Sequence, residues 1–521
     1  MPVVGARSRG RARAAIAAAI AFATVTAVAC TNGTDQVAVA PALGSAPPSP
    51  SRPNIVFVLT DDLSTNLLPY MPHVEALAKQ GMSFTNFVVS DSLCCPSRAS
   101  ILTGNYPHST GIFINHGSTG GFFEFQKRAE DKHTFAIPIQ ARGYRTAFMG
   151  KYLNEYYSTY PAPAALGEWT PPQATYVPPG WEQWDGVGNG YQQYNYLLNH
   201  DHHVKAHAHR PKDYLNSVLQ SYGTSFIGNS AAQHKAFFLE VASFTPHTPN
   251  TPAPRDAGTF AGLTAPQDPS FGKAPVDAPG WLANGGARIP FTKTAYKLIN
   301  NRFRQRVEAV QSVDRMVGAL EDRLASTGQL ANTVFVFNSD NGYHDGEHGL
   351  YPGKMTAFDT DINVPLIVVG PGIAAGSTNN DLVQNIDLAP TFEQLTGATP
   401  APSVEGRSIV PLLHGRQVPW RTLQLVEHEG PDLAPDDPDV QTPQEGNPPT
   451  YQAIRSARFT YVHYVDGDTE YYDRLIDPYE TDNLAPTLSA ERAAQLQSWL
   501  TALHECKGAA QCWQAGQPPG V

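Results

Sequence analysis

Residues 54–62 read Asn54-Ile55-Val56-Phe57-Val58-Leu59-Thr60-Asp61-Asp62. Five consecutive apolar residues without alternation are typical of a strand that is buried on both faces, as in a parallel sheet. Two adjacent carboxylates follow at the end of the run, where unpaired buried charge would be costly. The stretch therefore predicts a central strand that ends in oxygen-bearing side chains.

The rest of the chain alternates between strand and helix patterns. Apolar runs at 84–89, 145–149, 236–241, 333–337 and 366–369 predict further buried strands, and helical spacing appears at 73–80 and at 307–324. This alternation predicts an α/β fold with a mostly parallel central sheet flanked by helices. Towards the end, a hairpin at 459–475 and a helix capped by Ser489 predict a small α+β subdomain.

The amino-terminal segment predicts export. Four arginines within the first thirteen residues precede an apolar run that is too short to cross a bilayer, and small residues then lead directly to Cys30. This pattern predicts a signal peptide at 1–29 and a lipid on Cys30, with unlipidated secretion as the alternative. We expect an extended tether at 30–52, a catalytic domain at 53–454 and the small subdomain at 455–521.

Composition narrows the possible partners. The 521 residues include 36 basic and 47 acidic side chains, a net charge of −11, so binding to nucleic acid through bulk charge is not expected. Five cysteines are too few for a disulfide scaffold. Cys506 and Cys512 could close a small disulfide loop, which would suit an exported protein.

A second polar pair follows another predicted strand. Asp340 and Asn341 follow the apolar run at 333–337 after Asn338 and Ser339, as Asp61 and Asp62 follow the first strand. Parallel strands present their carboxyl ends at one edge of a sheet, and oxygen ligands suit a hard divalent cation. The sequence therefore predicts a composite metal site from these four residues, although each pair alone could be a helix cap or a solvated loop.

Residues 92–104 read Ser92-Leu93-Cys94-Cys95-Pro96-Ser97-Arg98-Ala99-Ser100-Ile101-Leu102-Thr103-Gly104. This segment resembles the signature of the sulfatase family, Cys-x-Pro-Ser-Arg followed by a short helix and Thr-Gly. The resemblance implies an alkaline-phosphatase-like fold and oxidation of Cys94 to formylglycine by a separate formylglycine-generating enzyme. A reactive or buried thiol pair is the alternative reading, and we interpret Cys95 as a core residue.

The resemblance also implies roles for other positions. It matches Gly150-Lys151-Tyr152, Thr245-Pro246-His247-Thr248-Pro249 and Gly353-Lys354 to sulfate-binding and acid-base segments of the family. The implied catalytic residues are Cys94, Arg98, Lys151, His247 and Lys354, and the implied ligands of one Ca²⁺ are Asp61, Asp62, modified Cys94, Asp340 and Asn341. His247 is expected to protonate the leaving alcohol, and His344 to line the pocket; His344, Glu347 and His348 could instead be read as a transition-metal cluster.

The resemblance is greatest to the branch that acts on glycosaminoglycans, including N-acetylglucosamine 6-sulfatases. It carries Gly150-Lys151-Tyr152-Leu153-Asn154-Glu155-Tyr156 and Ser339-Asp340-Asn341-Gly342-Tyr343-His344. We therefore expect an exported sulfatase acting on a sulfated sugar and anchored to a membrane by its amino-terminal lipid. A broad arylsulfatase, a phosphonate or phosphodiester hydrolase, and a non-catalytic carbohydrate-binding lipoprotein are the alternatives.

Overall fold

The computed structural model describes residues 52–156, 175–433, 437 and 439–521. The predicted signal peptide and Cys30 lie outside the described residues, as does nearly all of the predicted tether. Among the helices of the described ranges, none combines the length and the apolar character needed to cross a membrane.

Strands and helices alternate along the described chain. The strands are β1 (Asn54–Asp61), β2 (Met82–Phe84), β3 (Phe87–Val88), β4 (Arg145–Lys151), β5 (Gln183–Val187), β6 (Leu197–His200), β7 (His203–Ala206), β8 (Phe237–Pro246), β9 (Thr333–Ser339), β10 (Leu366–Val369), β11 (Ser377–Asn379), β12 (Val383–Gln384), β13 (Gln424–His428), β14 (Tyr451–Arg455), β15 (Phe459–Tyr464) and β16 (Thr469–Asp473). The α-helices are α1 (Pro72–Gln80), α2 (Cys94–Thr103), α3 (Pro107–Thr110), α4 (Gly121–Lys127), α5 (Ala136–Ala141), α6 (Leu215–Ala232), α7 (Lys293–Ser326), α8 (Asp359–Ile362), α9 (Leu388–Thr396), α10 (Val410–Leu413), α11 (Ala490–His504) and α12 (Gly508–Ala515).

The central sheet has ten strands in the order β11-β2-β10-β9-β1-β8-β4-β5-β6-β7. Its middle strands β9, β1, β8, β4 and β5 are parallel to one another. The antiparallel pairs β9–β10 and β5–β6 lie on either side of this parallel group. The predicted α/β class with a mostly parallel sheet is confirmed. Strand β1 lies between β8 and β9, which the sequence did not reveal.

Helices cover both faces of this sheet. Along β1, Phe57 packs in one hydrophobic core with Phe392 of α9, while Val56 and Val58 pack in a second core with Leu320 of α7. All eight residues of β1 are buried. Burial on both faces explains why the strand is a continuous apolar run rather than an alternating one.

One predicted strand is wrong in extent. The apolar run 84–89 was expected to form a single strand, but it divides into β2 and β3 with Thr85 and Asn86 between them. Strand β2 belongs to the central sheet, whereas β3 pairs with β12 in a separate two-stranded sheet. The backbone N–H of Thr85 donates to the carbonyl of Asn379, at the point where the chain leaves the central sheet.

The carboxyl-terminal region contains a four-stranded antiparallel sheet in the order β13-β14-β15-β16. The predicted hairpin is its β15–β16 pair, and the other two strands precede residue 456. Ser489 caps α11 by accepting a hydrogen bond from the N–H of Arg492, at 3.2 Å. Cys506 and Cys512 form a disulfide. The boundary proposed at 454/455 stays a prediction.

Candidate active site

Parallel strands of the central sheet bring polar side chains to one edge. The residues at these strand ends are Asp61 and Asp62 at β1, Lys151 at β4, His247 after β8, and Asp340 and Asn341 after β9. Because these four strands are adjacent and parallel, their carboxyl ends lie side by side. The site is therefore assembled by strand order from segments almost 300 residues apart, roughly the span of two average domains.

The four metal ligands predicted from the strand ends, Asp61, Asp62, Asp340 and Asn341, lie together and are buried. Asn341 donates through Nδ2 to Asp62 Oδ1 at 2.8 Å, and the backbone N–H of Asp62 donates to Asp340 Oδ1 at 3.2 Å. Lys151 Nζ lies 2.7 Å from Asp61 Oδ2. The structure thus joins the two polar pairs that the sequence placed after separate strands.

The oxygens of this cluster fit a hard divalent cation. Within the described residues, Asp61 Oδ1 and Asn341 Oδ1 are buried and accept no hydrogen bond. One potential ligand atom from each of Asp61, Asp62, Cys94 and His247 lies within 4.8 Å of the others. Unsatisfied buried acceptors are costly, and carboxylate and amide oxygens are the ligands that Ca²⁺ prefers. A cation at this position would satisfy them.

The pKa values of Asp340 and Asp61 are shifted in opposite directions. Burial raises the pKa of Asp340, and the charge of Asp61 raises it further against the attraction of Arg98. For Asp61, burial acts in the same direction, but nearby cations, Lys151 foremost, outweigh it and lower the pKa. Crowded carboxylates of this kind are stabilised in their charged forms by a bound cation.

Cys94 is the first residue of α2 and is fully buried. Lys354 Nζ lies 3.0 Å from Cys94 Sγ. Burial raises the pKa of the Cys94 thiol well above its ordinary value, and the charges of Asp439 and Asp61 raise it further. The opposing effect of Lys151 and Lys354 is smaller. An unmodified Cys94 would therefore stay protonated and be a poor nucleophile. The neighbouring Cys95 packs in the hydrophobic core, as predicted.

Arg98 connects α2 to the two strand ends beside it. Its Nε donates to Asp340 Oδ2 at 2.8 Å, and its Nη1 donates to the carbonyl of Lys151 at 2.7 Å. Its Nη2 is buried and has no partner among the described residues. The guanidinium thus holds the acidic cluster and leaves one donor for an anionic ligand.

Lys354 and His247 form the cationic side of the site. Lys354 Nζ lies 2.7 Å from Asp62 Oδ1 and 2.6 Å from Asp439 Oδ1. His247 donates through Nδ1 to the carbonyl of Thr248 at 2.7 Å, and its Nε2 is hydrogen-bonded to Asp439. Burial lowers the pKa of His247, but Asp439, Asp62 and Asp61 outweigh it and raise the pKa to about 9. The His247 ring is therefore protonated at neutral pH.

Sequence reasoning missed Asp439 and Asn115. Asp439 is 3% exposed, and its Oδ2 accepts from Asn115 Nδ2 at 2.8 Å and lies 3.4 Å from Cys94 Sγ. Asp439 belongs to an acidic, proline-rich stretch that is typical of a solvated loop. No local signal shows that this residue reaches a site 345 positions away in sequence.

His344 lies outside the contacts of the acidic cluster. Its ring is buried, Nδ1 is 2.9 Å from Asp361 Oδ1, and Nε2 has no partner among the described residues. That it lines the pocket stays a prediction. Within the described chain, Glu347 and His348 do not join it in a metal-binding group, because His348 stacks on Phe358 and Glu347 accepts from the backbone of Asp345.

Two protein-family models match most of the chain. A family model described as Sulfatase matches residues 53–398, and one described as N-sulphoglucosamine sulphohydrolase, C-terminal, matches residues 346–505. Human N-acetylglucosamine-6-sulfatase is 33% identical over 484 residues, which cover 88% of this chain and 85% of that protein. N-acetylglucosamine-6-O-sulfatase of Bacteroides thetaiotaomicron is 25% identical over 503 residues, covering 83% and 82%.

Solved structures share the fold. BT4656, solved in complex with its substrate D-glucosamine-2-N,6-O-disulfate, superposes with a TM-score of 0.70 at 22% identity, covering 86% of this chain and 97% of that one. A phosphonate monoester hydrolase from Silicibacter pomeroyi superposes with a TM-score of 0.65 at 22% identity, covering 86% and 93%. At this sequence identity, the structural similarity shows a shared fold and does not identify the substrate.

Proposed function

The chain belongs to the sulfatase family, and from that premise we propose that it removes sulfate from sulfated sugars such as N-acetylglucosamine 6-sulfate units. It is a sulfuric ester hydrolase. The proposed sugar rests on relatives named N-acetylglucosamine-6-sulfatase, which align over 88% of this chain in the human protein.

One observation carries the proposed mechanism. Cys94, the residue that matches the modified cysteine of the family, lies 3.0 Å from Lys354 and at the same sheet edge as the cluster of oxygen ligands. The attacking group, the sulfate-binding cations and the metal ligands are therefore within reach of one substrate. Proximity of this kind converts a reaction between separate molecules into one within a preorganised site.

We propose that Cys94 is converted to formylglycine, whose hydrated form supplies the attacking hydroxyl in this family. Asp61, Asp62, Asp340 and Asn341 would hold one Ca²⁺. Such a cation lowers the pKa of a hydroxyl and draws charge from the sulfate oxygens. The buried acceptors Asp61 Oδ1 and Asn341 Oδ1 support this assignment.

The chain's own cations meet the charge that develops on the sulfate oxygens. Lys354 Nζ already lies beside Cys94 Sγ, Arg98 keeps one free Nη2 donor, and Lys151 is fixed against Asp61. Fixed donors in a buried site stabilise the transition state without reorganising during the reaction. The amino end of α2, where Cys94 lies, adds a further partial positive charge.

We assign His247 as the general acid that protonates the leaving sugar oxygen. Its pKa of about 9 keeps the ring protonated at neutral pH, and its Nδ1 is held by the carbonyl of Thr248. The Nε2–H group therefore points into the site, where it donates a hydrogen bond to Asp439. A sugar alcohol is a poor leaving group, so a positioned acid is needed for its departure.

We propose further that the enzyme is exported and carries a lipid on Cys30, with free secretion as the alternative. The arginine-rich start and the apolar run that ends at Cys30 support this placement. Labelling with a fatty acid should mark the wild-type protein and leave a Cys30→Ala variant unlabelled. Equal labelling of both proteins, or of neither, would contradict the lipid anchor.

A phosphonate or phosphodiester hydrolase is the second candidate, because a solved phosphonate monoester hydrolase shares the fold. The two functions separate when sulfate and phosphonate esters of the same alcohol are compared on one preparation. A higher kcat/KM on the sulfate ester supports the sulfatase assignment. A broad arylsulfatase would instead favour aryl over sugar sulfates.

The deciding experiment combines mass spectrometry with sulfate release. Peptides from natively produced protein should show the conversion of cysteine to formylglycine at Cys94 and an unmodified Cys95. Cys94→Ala should abolish sulfate release from N-acetylglucosamine 6-sulfate, whereas the adjacent control Cys95→Ala should retain it. Activity that survives Cys94→Ala, or an unmodified Cys94 in active protein, would refute the mechanism. Unmodified and inactive native protein would indicate a non-catalytic carbohydrate-binding role.

A further inference from the structure

A fully buried arginine contacts both segments that carry the acidic cluster. Arg306 lies near the middle of α7 and is 0% exposed. Its neighbours on the buried side of α7 include Val307, Val310 and Val313. A guanidinium among such residues is costly unless its charge and its N–H groups find partners. The partners of Arg306 therefore indicate what its charge does in the core.

Arg306 joins the segment after β1 to the segment after β9. Its Nη1 lies 2.5 Å from Asp345 Oδ2, and its guanidinium lies 4.1 Å from the centre of the Tyr343 ring. Its Nη2 donates to the carbonyl of Asp62 at 2.7 Å and to Ser64 Oγ at 3.0 Å. One planar group thus ties together the two loops whose first residues supply the proposed metal ligands.

The carbonyl that Arg306 holds belongs to a residue in an unusual conformation. Asp62 has a φ of 64°, in the left-handed region that residues other than glycine seldom occupy. A residue stays in that region only where its surroundings hold it. The Asp62 carboxylate contacts Asn341 Nδ2 at 2.8 Å and Lys354 Nζ at 2.7 Å, so the backbone conformation determines where the carboxylate points.

We infer that Arg306, braced by Asp345, is a positioning residue that orients Asp62 towards the divalent cation. This inference rests on the proposed function, because it requires a cation at the cluster of Asp61, Asp62, Asp340 and Asn341. The hydrogen bonds and ring contact described for Arg306 are with Asp345, Tyr343, Ser64 and the carbonyl of Asp62, and none is with a proposed sulfate-binding residue. Arg306 acts through the main chain of Asp62, and its loss should weaken cation binding before it affects binding of the sulfate ester.

Two variants separate positioning from packing. Arg306→Met keeps an apolar side chain of similar length in the core and removes every donor. Asp345→Asn keeps the shape of the partner of Arg306 and removes its charge and one of its two acceptor oxygens. Arg315→Gln is the matched control, because Arg315 lies on the same helix but pairs with Asp256 and contacts neither loop. A purely structural arginine would change thermal stability in the variants and leave cation affinity as it is.

The experiment uses the full mature chain with verified formylglycine. Bound cations are removed by chelation, Ca²⁺ is titrated by calorimetry, and kcat and KM are measured at limiting and saturating Ca²⁺. Arg306→Met should weaken Ca²⁺ affinity at least tenfold. Its kcat should fall at limiting Ca²⁺ and recover as Ca²⁺ rises, with KM for the sulfate ester unchanged. Arg315→Gln should bind Ca²⁺ like the wild type.

The outcomes are distinct. Wild-type Ca²⁺ affinity in folded Arg306→Met overturns the inference and leaves the proposed function standing. If Arg306→Met does not fold, Asp345→Asn decides, with at least threefold weaker Ca²⁺ binding expected and wild-type binding refuting the role. A wild-type enzyme that is active and binds no Ca²⁺ would overturn the proposed metal site, and this inference with it.

Discussion

Removal of the proposed general acid should affect substrates according to their leaving groups. His247→Ala removes an imidazolium whose Nε2 is hydrogen-bonded to Asp439 and whose Nδ1 is held by Thr248. A sugar alcohol needs a proton as it departs, whereas nitrophenolate leaves readily without one. The variant should therefore lose activity on N-acetylglucosamine 6-sulfate far more than on 4-nitrophenyl sulfate.

The size of the difference follows from the role. Protonation by a positioned acid is worth about 10²- to 10⁴-fold in rate. At about 1.4 kcal/mol for each factor of ten, the barrier for the sugar ester should rise by about 3 to 5 kcal/mol. The pKa of about 9 means that the wild-type ring is protonated throughout the neutral range, so this contribution is fully present in ordinary assays.

The assay is the ratio of kcat/KM on the two esters, measured with Lys354→Ala as the comparison. Lys354 Nζ faces Cys94 Sγ and the carboxylates, so its removal should weaken stabilisation of the sulfate and lower both activities alike. Equal losses on the two esters for His247→Ala would refute the acid role. His247 would then only bind sulfate, and His344 would be the next residue to test as the acid.

Two further predictions concern stability. Replacing Cys506 and Cys512 by serine opens a loop with a sequence separation of 6, and chemical denaturation should show a loss of about 2 kcal/mol on the chain-entropy estimate; unchanged stability would mean that α11 and α12 hold this end without the bond. The second concerns His108, whose Nδ1 lies 2.9 Å from Glu427 Oε2 and whose Nε2 lies 2.9 Å from the carbonyl of Cys506, so both nitrogens face acceptors. Burial lowers the pKa of His108, but Glu427 outweighs it and raises the pKa, so this stabilisation is complete below the unfolded value and is lost as pH rises through the folded one. Melting temperatures from pH 6 to 9 should therefore fall more steeply for the wild type than for His108→Gln, and parallel curves would contradict the charge assignment.

The sequence contained the information that is local or periodic. The apolar run of β1 predicted a strand buried on both faces, because such burial requires apolar residues at every position. The cap at Ser489 and the segment at 92–104 were likewise readable, since capping and the signature each depend on a few consecutive residues. Asp61, Asp62, Asp340 and Asn341 could be predicted as one site because parallel strands share a carboxyl edge.

Tertiary structure alone decided which distant segments meet. The order β9-β1-β8-β4 places His247 and Lys151 beside the acidic cluster, and strand order leaves no trace in the periodicity of any single strand. Asp439 lies in an acidic, proline-rich stretch, and Arg306 lies beside apolar residues at helical spacing, and neither context indicates a buried charge with a partner. Their burial and their roles depend on partners far away in sequence, Lys354 for one and the carbonyl of Asp62 for the other. The sequence pattern of one helix or strand indicates which of its residues face the core. A buried charge, by contrast, is stabilised by a partner that only folding brings close to it.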